Sequence, residues 1–212
     1  MRKLGFCSLI LAVVALPAMA SLITFGSDLL SEGNNLTLSN VFITPHSVWA
    51  IPPPGVGWIS YANTGMGPGS FSPPNVPIPG PPTAVFWESL WLPYGNNTWT
   101  GTFFADDTAG VTLFNSLYPG GLLLKAPNPV QDSYCAAGPI ACEATEGWTG
   151  NLNGLLVQGA NTFSMDTYQR AGGPFGVMYY GSIESTPEPA VLGLTGLGLF
   201  VVGLVRRRLK PQ

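Results

Sequence analysis

The chain has 212 residues, 46% of them hydrophobic and only 9% charged, with 27 Gly and 21 Pro. Its eight cations sit mostly at the two ends, leaving Lys125 and Arg170 against ten acids between residues 21 and 186, a formal charge of −8 for that stretch. This excludes an electrostatic groove for nucleic acid, which needs clustered cations, and the frequency of Gly and Pro excludes a helical domain.

Arg2 and Lys3, the apolar run Leu4 to Leu16, and Pro17-Ala18-Met19-Ala20 have the order of a secretory signal, with cleavage by signal peptidase expected before Ser21. Cys7 lies inside the apolar run and away from the cleavage point, which disfavours lipidation. Residues 21–185 are then expected to form one secreted domain of ordinary size.

Through that stretch, short runs of Thr, Val, Phe, Trp and Tyr alternate with Gly, Pro, Asn and Asp, the signature of β structure. Strands are expected over 35–43, 46–51, 57–62, 83–92, 98–105, 110–117, 121–126, 160–168 and 175–184. About nine strands in a chain of this size point to an all-β, two-sheet sandwich of the jelly-roll kind. Residues 52–82 hold ten prolines. Proline cannot feed a sheet ladder, so this Pro/Gly-rich segment reads as a long loop across the sandwich, with at most one short strand around Trp58.

The middle of the chain offers few groups for catalysis. His46 is the single histidine, and no Gly-x-Ser-x-Gly turn accompanies it. Glycoside hydrolysis needs two carboxylates flanking one sugar. Glu88, amid the aromatics of FWESLW, would have to pair with Asp106 or Asp107, and Glu88 reads as an outward strand position. A secreted hydrolase using Glu88 and an Asp is therefore the alternative to a non-enzymatic protein. Asp106-Asp107 read as a hairpin turn, and as the candidate ligands of a structural calcium, since hard cations collect carboxylate and carbonyl oxygens. Cys135 and Cys142 are the cysteines left after signal removal, and in an exported protein they read as a disulfide. Zinc would need two further Cys or His ligands, and His46 alone is available. All six tryptophans lie between residues 49 and 148. Trp58, in the Pro/Gly loop, and Trp148, in EGWTG, are the candidates for an exposed glycan-stacking surface; otherwise they pin their loops to the sandwich.

At the C-terminus, Pro187-Glu188-Pro189 precede sixteen uncharged residues, Ala190 to Val205, and then Arg206, Arg207 and Arg208. Sixteen helical residues rise roughly 24 Å, short of a comfortable span, though the arginines can snorkel. The basic cluster orients the segment with everything before it outside. The three-part order over residues 186–212, with its transmembrane helix at 190–205, resembles the PEP-CTERM sorting signal, also catalogued as the ice-binding protein C-terminal domain. The resemblance implies export, processing by an exosortase, and delivery to the cell surface or matrix; a regular Thr array that would suit ice is not seen. From 46 to 184, FFADDTAGVTLFN and GANTFSMDTYQRAGGPFGVMYYG are similar to the galactose-binding-like β-sandwich, departing from its pattern at Asn115-Ser116 and at Gln169. The combined expectation is an exported, non-enzymatic protein associated with exopolysaccharide, or else a purely structural, self-associating matrix protein.

Overall fold

The structure is a computed structural model that describes residues 20–28, 32–132 and 134–187, together with 196, 198, 199 and 202. Among these residues the chain forms ten strands: β1 (Ser21–Gly26), β2 (Glu32–Asn34), β3 (Val41–Phe42), β4 (Ile59–Ser60), β5 (Ala84–Leu92), β6 (Asn96–Asp106), β7 (Thr108–Asn115), β8 (Leu122–Lys125), β9 (Gly159–Tyr168) and β10 (Gly176–Thr186). They make two five-stranded sheets. In the first, β6 pairs with β10 over its whole length, while β1 and β4 share the opposite edge of β10 and β3 extends from β4. The second runs β2-β5-β9-β7-β8. Every named pairing is antiparallel. The expectation of an all-β, two-sheet sandwich is met.

Connections between the sheets define two poles. At one, β5 passes to β6 through residues 93–95, Ser21 lies opposite Ser185, and Asn96 opposite Thr186. This is the terminal pole. At the other, β6 passes to β7 through Asp107, and β9 passes to β10 through 169–175. Asp106-Asp107 therefore mark a crossing between sheets and not a hairpin turn, because β6 and β7 take different partners, β10 and β9.

Alternation decides the core. Along β5 the buried residues are Ala84, Phe86, Glu88, Leu90 and Leu92, one face of a period-two strand. Between the sheets the Phe25 and Trp99 rings stack at 4.8 Å, and Trp99 meets Phe163 at 5.1 Å. The rings fit under the sheet because Gly101 and Gly181 face each other across β6 and β10. A Cβ on Gly181 would lie 2.6 Å from Phe25 Cζ and 2.6 Å from Gly101 Cα, and would collide with the Thr100 carbonyl oxygen. A second apolar cluster lies on the outer side of the first sheet. There Trp49, Trp58 and the residues around Cys135 and Cys142 cover Phe104 and Met178.

Two strand expectations need correction, and two strands arise where none was expected. Residues 35–40 turn instead of extending, because Asn34 Oδ1 accepts from the Leu36 and Thr37 amides at 2.9 and 2.7 Å while its Nδ2 donates to Ser39 O and Asn40 Oδ1, the side-chain competition typical of Asn. Residues 46–51 form a turn closed by Trp49 N donating to His46 O, with a single bridge to Glu143. Neither β1 nor β2 was expected. The Pro/Gly-rich segment is a long loop carrying β4, and it docks on the 169–173 turn through Val76 N to Gln169 O and Gly173 N to Ser72 Oγ. The expected signal peptide lies outside the described residues, as does most of the 190–205 segment. Of the latter, Gly196, Gly198, Leu199 and Val202 are helical. Among the described residues no helix is long and apolar enough to cross a membrane.

Replacing Gly181 by Ala should destabilise the domain by about 1–3 kcal/mol, the cost of overpacking a filled core against backbone that cannot yield. A lower urea midpoint at unchanged slope would show this, and an unchanged midpoint would contradict the packing described.

Candidate functional site

The outer face of the first sheet is half covered. Toward the crossing pole, Trp49, Trp58 and the disulfide segment lie on it. Toward the terminal pole it is open and forms the floor of a groove of about 920 Å³. Register assembles that floor. Thr24 lies opposite Ser182, which lies opposite Thr100; Gly26, Tyr180 and Thr102 make the next row. Thr100 Oγ1 and Ser182 Oγ are 2.8 Å apart and hydrogen-bonded. The walls are Pro53 to Val56 on the β1 side and Thr149 to Asn153 on the β6 side. The second wall is fixed by paired backbone bonds between Trp148 and Phe103, and by Trp99 N donating to Asn153 Oδ1 at 2.9 Å. The lining thus combines hydroxyls, the side chains of Asn151 and Asn153, three aromatic residues, of which Phe25 and Trp99 belong to the core and Tyr180 stands on the outer face, and a single charged residue, Asp28.

Sequence reasoning did not find this site. Its one local signal is the alternation in Thr98-Trp99-Thr100-Gly101-Thr102, which puts threonines on one strand face and Trp99 on the other. The rest depends on strands far apart in the sequence.

The residues singled out from sequence fall elsewhere. Trp58 is 1% exposed, its ring 4.2 Å from that of Trp49 and its Nε1–H donated to Ala50 O at 2.9 Å. It is a core residue and is corrected from a stacking candidate. Trp148 is half-buried against Phe103, at 5.7 Å between rings, and folds over Gly150. It holds the groove wall without lining the groove. The most exposed tryptophan is Trp91, at 73%, on the outer face of the second sheet. Glu88 is also corrected. It is 3% exposed and points inward, with the Tyr179 hydroxyl donating to its Oε2 at 3.3 Å. A polysaccharide cannot reach it there. His46 Nδ1 accepts from the Val48 amide at 3.4 Å.

Cys135 and Cys142 form a disulfide with Cα atoms 6.0 Å apart. Glu146 lies beside them, but both sulfurs are consumed in the bond, so the trio offers no thiolate to a metal. Asp106 and Asp107 are both buried, at 3% and 0% exposure. Asp107 Oδ2 accepts from the Arg170 and Ala171 amides, and the Trp49 indole donates to Asp106. One oxygen of each, Oδ1, is buried with no hydrogen-bond partner. Burial, followed by the neighbouring Asp107, pushes the Asp106 carboxyl well above its ordinary value. Of the sorting-motif residues, Pro187 is buried just after β10; Glu188, Pro189, Arg206, Arg207 and Arg208 lie outside the described residues.

A carboxyl raised on folding keeps a proton that the unfolded chain has lost. In chelator-treated protein, stability should therefore be fullest below the ordinary carboxylate range and fall as pH rises through the raised value. Urea midpoints at about pH 5 and about pH 8 should show the fall in wild type and a smaller one in Asp106→Asn. Equal slopes in the two proteins would assign the dependence to other groups.

No family model matches the chain, and no curated protein matches it. Among solved structures it is similar to the native structure of a family 35 carbohydrate binding module from Clostridium thermocellum, with 13% identity over 77% of this chain and 99% of that one, at a TM-score of 0.39.

Proposed function

We propose that this protein is an exported, non-catalytic glycan-binding sandwich of the jelly-roll, galactose-binding-like kind, carried to the cell surface or matrix by its terminal segments. In this reading residues 1–20 are a signal peptide removed by signal peptidase. Residues 21–185 are the working domain, and residues 186–212 are a sorting tail with a membrane helix at 190–205, recognised by an exosortase through Pro187, Glu188 and Pro189. The observation that carries glycan binding is the groove, with hydroxyls and amides on floor and walls and the outer-face ring of Tyr180 to stack on. Sugars present the complementary surface, hydroxyls at the ring edge and an apolar face. Asp28 is the single charge in the lining, and a net charge of −8 over 21–186 disfavours acidic polymers, so the ligand is a neutral stretch of exopolysaccharide. The hydrolase alternative loses its support with the burial of Glu88.

At the crossing pole, Asp106 and Asp107 fit a hard divalent cation such as calcium, since each has a buried oxygen without a partner. The two carboxylates would hold it and it would neutralise their mutual repulsion, fixing the crossing between sheets. Calcium at millimolar level should then raise the melting temperature of the wild-type protein and leave Asp107→Asn unmoved; an equal response in both would remove this cation site.

For the groove, the secreted protein should begin at Ser21 on N-terminal sequencing and bind the producing cell's polysaccharide in affinity electrophoresis. Tyr180→Ala should weaken binding by roughly tenfold, about 1.4 kcal/mol, while Trp91→Ala should leave it unchanged. Retention of full affinity by Tyr180→Ala with its fold intact would remove the groove as the binding site.

A further inference from the structure

We infer that, while the C-terminal segment is in the membrane, the folded sandwich stands on the lipid surface through its terminal pole, with Trp91 in the headgroup layer. This rests on the anchoring proposed above and adds what the folded domain itself touches.

Both ends of the domain leave from that pole, where Ser21 pairs with Ser185 and Asn96 with Thr186. Only Pro187, Glu188 and Pro189 separate β10 from Ala190, where the sixteen uncharged residues begin. Four Cα steps reach at most about 14 Å. The polar layer on each side of the hydrocarbon is itself about 5–8 Å thick. With so short a tether the pole is held at the headgroups, whatever conformation those residues take.

The surface of the pole suits that neighbour. Trp91, 73% exposed, is one residue from the end of β5. Leu117, 61% exposed, and Phe114 stand at the neighbouring end of β7, and Leu22, 70% exposed, is the second residue of β1. Tryptophan favours the boundary between lipid and water, where an apolar ring and a polar N–H are both accommodated. Charge points the same way. Of the ten acids between 21 and 186, Glu184 lies within two residues of a strand end at this pole and Glu32 opens the short β2 on the same side, while the exposed Asp132 and the partly exposed Glu143 stand on the disulfide segment toward the crossing pole, where Asp106, Asp107 and Glu146 are buried. With so few acids at its strand ends, the terminal pole carries little charge to repel anionic headgroups.

The test uses the full chain reconstituted into phosphatidylcholine–phosphatidylglycerol vesicles, with and without brominated acyl chains, in wild type, Trp91→Phe and, as a control, Trp148→Phe. All three should float with the vesicles. Brominated lipid should remove most of the emission that Trp91 contributes, seen as quenching in wild type and in Trp148→Phe that is lost in Trp91→Phe. Failure of the chain to float would overturn the anchoring reading and this inference with it. Flotation with equal quenching in wild type and Trp91→Phe would overturn this inference alone. Shielding of Trp91 from aqueous acrylamide without quenching by brominated lipid would assign the pole to a protein surface, such as a second copy, and would also overturn it.

Discussion

The pairing of β10 with β6 along eleven residues, with β1 on the other edge of β10, is the constraint on which the other features depend. It requires close approach of backbone and rings at Gly101 and Gly181, because the Phe25 and Trp99 rings occupy the space that side chains would take there. The inner face of these strands thereby carries large aromatics against Phe163 and Phe103. Toward the terminal pole the outer face is left to Thr24, Thr100, Thr102 and Ser182, which fill neither apolar cluster, and to Tyr180, whose ring packs partly on Phe104. One register thus sets the core roof on one side and the groove floor on the other. It also brings Ser21 beside Ser185, which fixes where both ends of the domain emerge.

The covering of half that outer face follows from the loops at the crossing pole. The Pro/Gly-rich segment carries Trp58, and the 135–142 disulfide closes a short excursion whose Ala141 and Cys142 carbonyls accept from Ala105 and Ala50. These loops bury Phe104 and Met178, which would otherwise be apolar residues on an open sheet face. They also bury Asp106 and Asp107, whose satisfied oxygens are held by the Arg170 and Ala171 amides and by the Trp49 indole. Burying two neighbouring carboxylates is costly unless a proton or a cation sits between them. The polar demands of the fold therefore concentrate at the crossing pole and leave the terminal pole with few charges.

Much of the fold was legible in the sequence because it depends on period and punctuation. The runs expected at 83–92, 160–168 and 175–184 correspond to β5, β9 and β10, where alternation is long and bounded by Gly or Pro. The failures have separate causes. Over 35–40, apolar residues alternate as in a strand, but Asn34 supplies its own backbone partners and turns the chain. Glu88 was given to the polar face of an alternating strand, but it shares parity with Phe86 and Leu90, so the same alternation places it on the buried face. The Tyr179 hydroxyl that meets it inside is ninety-one residues away. Trp58 was assigned by the composition around it, and Gly and Pro do not reveal that a loop folds back onto a sheet. The groove was invisible for a related reason, since its floor exists only when residues 24, 100 and 182 are placed side by side.

Placement of the groove and of the first and last strands on one sheet has a consequence for how a polymer could be held. The strands run from pole to pole, so if the terminal pole rests on a membrane, as inferred above, they stand across its plane. The groove, lying between the Pro53–Val56 and Thr149–Asn153 walls on a sheet face, then opens sideways. A polysaccharide lying along the cell surface can enter it without passing beneath the domain, while one approaching end-on meets the crossing pole and its acids first. If the tail is later cut, the groove is unaffected, because its floor and walls all lie between Thr24 and Ser182, before the sorting segment begins. In the proposed reading, glycan retention and membrane retention would then be separable, the first resting on β-strand register and the second on the segment that follows β10.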